Sequence, residues 1–153
     1  MKLTTRGHYS VKALLDMSLQ PVGTVSSVSA IARRQSLPGP YLEKLLIELR
    51  RAGIVKSVRG AQGGYHLAKP PAQVSLGHIL EAVGEAASMQ SLYAATPAAS
   101  KAQDQAEDWV TALLWQRLDQ KLKEAVYSIT LEDLYYDARS WQAAQGEGAS
   151  FVV

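Results

Sequence analysis

Cysteine is absent from this chain of 153 residues. That absence excludes disulfides, thiolate nucleophiles, zinc–thiolate sites and cysteine-held iron–sulfur clusters together. Histidine is scarce, and His8, His66 and His78 do not stand at metal-ligand spacing, so structural or surface roles are expected for them. No apolar run approaches the roughly 18 residues that cross a bilayer. The start, Met1-Lys2-Leu3-Thr4-Thr5-Arg6-Gly7, lacks the apolar stretch of a secretory signal. These absences predict a cytoplasmic protein with no membrane partner, no metal and no cofactor. They also disfavour an enzyme: the histidines are lone, and Gly60-x-x-Gly63-Gly64 follows a strand-like segment instead of opening a phosphate-cradling helix.

What the chain does have is charge, unevenly spread. Residues 1–80 carry eleven Lys and Arg against three acids, a balance of +8, whereas residues 81–153 carry five against eleven, or −6. A basic half joined to an acidic half suits a nucleic-acid-binding module attached to a part that stays off the polyanion. Within the basic half, Arg59-Gly60-Ala61-Gln62-Gly63-Gly64-Tyr65 lies between two strand-like runs, Ile54-Val55-Lys56-Ser57-Val58 and Tyr65-His66-Leu67. Glycines so placed describe a tight hairpin, with Arg59 at its base.

Helical periodicity precedes that hairpin. Thr4 or Thr5 can cap a first helix whose stripe is Val11, Ala13, Leu14, Leu15, Met17 and Leu19. A short second helix turns Val28, Ile31 and Ala32 inward and Arg33-Arg34 outward. After the turn Gln35-Ser36-Leu37-Pro38-Gly39, Pro40 suits the first position of a third helix bearing Leu42, Leu45, Leu46 and Leu49, and Gly53 suits a left-handed C-terminal cap. Helix, turn, helix and an arginine-bearing ribbon predict a mainly α fold: a winged helix-turn-helix domain with a two-stranded wing at residues 1–84. Beyond it, Ser75 caps a short helix, and the alanine-rich residues 85–106 read as a loop or linker whose alanines can also extend a helix. A long helix follows, with Trp109, Val110, Leu113, Leu114, Leu118, Leu122 and Val126 recurring at three- and four-residue intervals, and Thr130 caps a last helix. Residues 107–140 are therefore expected to dimerise, and residues 141–153 to form a flexible tail.

The text Met1-Lys2-Leu3-Thr4-x-Arg6-Gly7-x-Tyr9, Tyr41-Leu42-Glu43-x-Leu45 and Leu49-Arg50-x-Ala52-Gly53-Ile54-Val55-x-Ser57-Val58-Arg59-Gly60-x-x-Gly63-Gly64-Tyr65 is similar to the IscR, NsrR and CymR type of bacterial winged helix-turn-helix regulators, the Rrf-two family. Ala82-Val83-x-Glu85, Leu114-Trp115 and Ile129-Thr130-Leu131-x-Asp133-Leu134 extend the likeness to about residue 137. The resemblance implies a homodimer joined by crossing long helices that controls transcription from a pseudo-palindromic duplex. It implies Tyr41, Glu43 and Lys44 in the major groove and Arg59 in the minor groove. Many relatives sense through an iron–sulfur cluster held by three cysteines. Leu92, Trp109 and Ala112 stand where such ligands are expected, so this chain resembles the cluster-free members, whose cue is a small-molecule effector, a protein effector or nothing obvious.

Each candidate has a physical role. Arg59 beside a glycine tip suits a narrow, electronegative minor groove. Glu43 either accepts a bond from cytosine N4 or is a solvated acid offsetting its basic neighbours. Lys44 offers a point-charge donor to guanine or phosphate, Tyr41 a phosphate contact or packing, and Pro40 only apolar or shape contacts. Lys2, Thr4, Arg6, Tyr9, Arg33, Arg50, Lys56 and the amides of Gly60, Gly63 and Gly64 form the expected phosphate set. Trp109, Trp115 and Tyr93 either pack at the crossing helices or line an effector pocket. The function predicted is a homodimeric, sequence-specific DNA-binding regulator, a repressor in its simplest form; a winged-helix protein-binding adaptor is the alternative.

Overall fold

Three helices are built around one leucine-rich face. The structure, a computed structural model, describes residues 4–85 and 105–150, with side chains described as far as residue 146. Helix α1 (Thr5–Leu19) buries Ala13, Leu14 and Met17. Helix α2 (Val28–Gln35) starts where Ser27 Oγ accepts the Ala30 amide at 3.1 Å, a side-chain N-cap, and it buries Ile31. Helix α3 (Gly39–Arg51) sets Leu42, Leu45, Leu46 and Leu49 inward, all 0% exposed. Four fully buried leucines remove enough apolar surface to stabilise by about 6–10 kcal/mol before conformational entropy is counted. Pro40 occupies the second helical position, because α3 begins at Gly39.

Turn chemistry fixes the angles between these helices. Ser36 closes α2 in the left-handed region (φ 54°, ψ 48°), a conformation usually left to glycine, and the Leu37 amide returns to the Ala32 carbonyl at 2.9 Å. At the other end of α3, Gly53 (φ 75°) lets its own amide reach the Arg50 carbonyl (2.9 Å) and the Ile54 amide the Leu49 carbonyl (3.0 Å). This reversal delivers the chain directly into the wing.

The wing is the antiparallel pair β1 (Val55–Val58) and β2 (Gly64–Leu67), in register from Val55 opposite Leu67 to Val58 opposite Gly64. A further pairing joins it to the helices: the Ser26 amide donates to Tyr65 O (2.9 Å) and the Tyr65 amide to Ser26 O (2.8 Å). Gly64 is required here, since a Cβ at that position would lie 2.2 Å from the Ser26 carbonyl oxygen.

A 3-10 turn (Pro71–Gln73) leads to helix α4 (Leu76–Ala82), opened by a capping box between Ser75 and His78. Helix α5 (Ala106–Ser128) and helix α6 (Leu131–Ser150) complete six helices among the described residues. Their junction is stitched to the α4 entrance: the Leu76 amide donates to Ile129 O and the Leu131 amide to Val74 O, both at 2.8 Å. Leu131 then enters the main core at 0% exposure, Leu134 packs against that core, and α6 lies against α1. Tyr127 sets its ring edge-on to His78 at 5.6 Å, against Gly77, whose missing side chain leaves room for it.

One expectation changes. Helical backbone runs to Ser150, so residues 141–150 continue α6 instead of forming a flexible tail. Anchoring by Leu131 and Leu134 nucleates the helix, and Gln142, Ala143, Ala144 and Gln145 propagate it well. The expected linker at 85–106 falls mostly on residues 86–104, which lie outside the described residues.

Candidate nucleic-acid interface

At 100° per residue, the face of α3 opposite its four leucines carries Pro40, Lys44, Ile47 and Arg51, flanked by Glu43 and Arg50. Pro40, Glu43, Lys44, Arg50 and Arg51 are exposed and Ile47 is half-buried. Ile47 and Arg51 are not among the expected DNA contacts, although the helical period that places the leucines inward also places these two outward. An apolar side chain there can meet a thymine methyl. Helix α3 presents no acid in its first turn and no side-chain cap, so its positive end is not neutralised locally.

Arg59 and Gly60 are exposed at the wing loop, and Gly60 needs its left-handed φ of 116°. Lys56 is exposed on β1 and Arg33 at the end of α2. Gly63 cannot carry a side chain, because a Cβ would meet Val58 O at 2.3 Å. Its amide closes the loop on Gly60 O (3.0 Å), so it is not presented to a phosphate as expected.

Within the N-terminal part of the expected phosphate set, Arg6 is engaged by the fold itself. Lys2 lies outside the described residues. Thr4 occupies the N-cap position of α1, but its hydroxyl makes no cap bond and is buried, with no partner among the described residues. Arg6 bonds the Glu48 carboxylate and, through Nε, the Val83 carbonyl at 3.1 Å. The start of α1 packs against α3 and α4, and this contact engages the Arg6 guanidinium that the sequence offers to solvent. Tyr9 and Tyr41 are half-buried and stack edge to face at 5.9 Å, which ties the start of α3 to α1.

Electrostatically, the fold sorts its charges. Asp16, 3% exposed, accepts Arg34 Nε at 3.0 Å and Nη2 at 2.6 Å, and Gln35 Nε2 at 2.8 Å. Arg34 also donates to Ser26 Oγ at 3.1 Å, so one guanidinium joins α1, α2 and the residue that pairs with the wing. Arg34 reaches solvent as expected, and it also clamps Asp16. Hydrogen bonding to Asp16 raises the Arg34 guanidinium above its ordinary value, and Glu48 does the same for Arg6, so both cations stay charged at any working pH. Lys12 caps the end of α2 through the Gln35 carbonyl at 2.9 Å. Of the three acids in this half, Asp16 and Glu48 are thus neutralised inside the fold, and Glu43 remains outward. Arg33, Lys44, Arg50, Arg51, Lys56 and Arg59 are exposed and form no ion pair with another described residue.

The long helix α5 presents a second surface. Trp109, Val110, Leu114 and Leu118 are 58%, 55%, 53% and 40% exposed, and Leu113 and Leu122 are half-buried. Such a run of exposed large apolar side chains is what a partner surface covers. Val126 is a correction, since at 5% exposure it is already buried in its own subunit, where α5 packs on α4. The expected aromatic pocket is not assembled by the described residues. Trp109 is exposed, Trp115 is half-buried and Tyr93 lies outside them. A cavity of about 250 Å³ lies instead against α4, lined by Ile54, Lys69, Val74, His78 and Glu81 among others.

Comparison with known proteins agrees with this geometry. The model of a family described as Rrf2, iron-dependent transcriptional regulator, matches residues 3–137. Over 153 residues, 100% of both chains, the sequence is 61% identical to a candidate HTH-type transcriptional regulator of Synechocystis sp.. The solved structure of IscR of T. potens superposes with a TM-score of 0.70 at 37% identity, over 93% of this chain and 91% of that one. CymR, the global cysteine regulator of B. subtilis, superposes with a TM-score of 0.71 at 31% identity, over 89% of this chain and 97% of that one. The iron of the family description finds no thiolate here. The chain contains no cysteine, and among the described residues no three His, Asp or Glu side chains gather as ligands. The donor set does not fit a cysteine-held cluster.

Proposed function

We propose that this chain, which belongs to the Rrf2 family of transcriptional regulators, grips duplex DNA as a homodimer and represses by occupying a promoter. The observation that carries the reading is the sorting of charge. Two of the three acids of the basic half, Asp16 and Glu48, are paired within the fold, while Lys44, Arg50 and Arg51 on α3, Lys56 on β1 and Arg59 on the wing loop are left without an ion-pair partner among the described residues. Helix α3 is the major-groove element, with Lys44, Glu43 and Ile47 at base edges and Arg50 and Arg51 toward phosphates. Arg59 enters the minor groove.

The exposed stripe Trp109, Val110, Leu114 and Leu118 supports dimerisation through α5. Two α3 helices would then address half-sites about one DNA turn, ~34 Å, apart on a pseudo-palindrome. No helix among the described residues is long and apolar enough to cross a membrane, and the protein acts in the cytoplasm, without catalysis. Its cue, lacking thiolates, is a small molecule or a protein partner and not a cysteine-held cluster.

The test is selection of bound duplexes from a random pool, followed by anisotropy at physiological salt. Arg59→Ala is expected to weaken binding to the selected site by about 1–3 kcal/mol. Unchanged binding removes Arg59 from the interface, and failure to select any duplex favours the protein-binding adaptor instead.

A further inference from the structure

Resting on the reading of α3 as the DNA-reading helix, we infer that Arg6 is a positioning residue that holds α3 in register with the end of α4. Arg6 sits in the first turns of α1, where α1 meets both α3 and α4. Its guanidinium bonds the Glu48 carboxylate on α3 and the Val83 carbonyl at the end of α4, 42 and 77 residues away in sequence. Both side chains are partly shielded, at 39% and 32% exposure. Val83 and Glu85 are buried, and the α4 terminus is closed by the Glu85 amide on Leu80 O at 2.8 Å and the Gly84 amide on Glu81 O at 3.1 Å. The Val83 carbonyl is one of the groups a helix leaves without an internal partner. A planar guanidinium can serve that carbonyl and a carboxylate together, and an ammonium serves this geometry less well.

Leu45 and Leu46, on the same helix as Glu48, fix α3 against the core through non-directional apolar contacts. The bonds of Arg6 are directional. An event that moves the end of α4 is therefore passed to the reading helix through this side chain as well as through the direct α3–α4 packing. Arg6 thus acts on specificity while touching no base and no phosphate.

The experiment compares anisotropy on the selected operator and on a scrambled duplex, across a salt series, for the wild type, Arg6→Gln, Arg6→Lys, Glu48→Gln and the Arg6→Gln/Glu48→Gln pair. Arg59→Ala is the control for DNA reading. Loss of one partly exposed, charge-assisted link should lower the operator-to-scrambled ratio about fivefold in either single Gln variant. The paired variant should be no worse than the singles, Arg6→Lys should recover part of the ratio, and the salt slope should stay at the wild-type value. A phosphate role for Arg6 predicts the opposite. Arg6→Gln would flatten the slope by about 1.8 per dimer and weaken both duplexes equally, while Glu48→Gln would tighten both, and that result overturns the inference.

Amide hydrogen exchange decides the matter independently of DNA. In Arg6→Gln, exchange at Val83, Gly84 and Glu85 should quicken while the buried leucines of α3 remain protected. Unchanged exchange at those three amides sinks the inference even if operator binding is normal. If no duplex binds while this exchange does quicken, the DNA reading fails and the α3–α4 link stands.

Discussion

Removing Arg34 should cost more stability than removing Asp16, although the two side chains form one ion pair. The difference follows from where each partner is left. Asp16 is 3% exposed and Arg34 37%. Arg34→Ala strands a carboxylate inside the fold with Gln35 Nε2, 2.8 Å away, as its remaining side-chain donor, and an unpaired buried charge of this kind costs about 3 kcal/mol. Asp16→Ala strands a guanidinium that already reaches water and rehydrates, so the loss is nearer ~1.5 kcal/mol. The double variant removes the stranded charge and should be more stable than Arg34→Ala alone. Urea unfolding reads all three, with a constant m-value showing that only stability has changed. Equal losses, or a larger loss for Asp16→Ala, would refute the reasoning, because they would mean that burial does not set the cost. Because Arg34 also holds Ser26, whose backbone pairs with Tyr65, the same substitution should loosen the wing as well as the α1–α2 angle.

Gly64→Ala should be harsher still. A Cβ at 2.2 Å from the Ser26 carbonyl oxygen forces apart two backbone hydrogen bonds, costing about 2–4 kcal/mol in the same urea assay. Ser36→Gly should stabilise by about 0.5 kcal/mol, since relief of a left-handed serine exceeds glycine's added chain entropy; no gain would show that Ser36 is not strained. Leu114→Lys, on the exposed stripe of α5, should leave the subunit folded by circular dichroism and shift sedimentation toward a monomer. A dimer that persists would place the partner surface elsewhere.

Much of the reading head was legible along the chain because its signals are local. The α3 leucines repeat at helical spacing, Gly53 terminates the helix where a left-handed residue is needed, and Gly63 and Gly64 sit where a Cβ has no room. The caps at Ser75 and Thr130 are likewise local, the latter made with the Asp133 carboxylate at 2.8 and 3.0 Å. The outward placing of Ile47 and Arg51 is equally legible from the helical period. What could not be read was the fate of individual charges. Arg33 and Arg34 are neighbours of identical chemistry and both reach solvent, yet Arg34 clamps Asp16 from 18 residues away while Arg33 forms no ion pair with another described residue. Val126 repeats with the α5 stripe and is still buried within its own subunit, since α5 bends no periodicity to show where α4 will lie.

Sequence alone determined the elements, their order and the arginine at the ribbon, because helix period, glycine geometry and caps act over a few residues. Tertiary structure decided which cations remain at the surface and which become fasteners. An ion pair forms between side chains that only the completed fold brings within bonding distance, as Arg6 meets Glu48 across 42 residues.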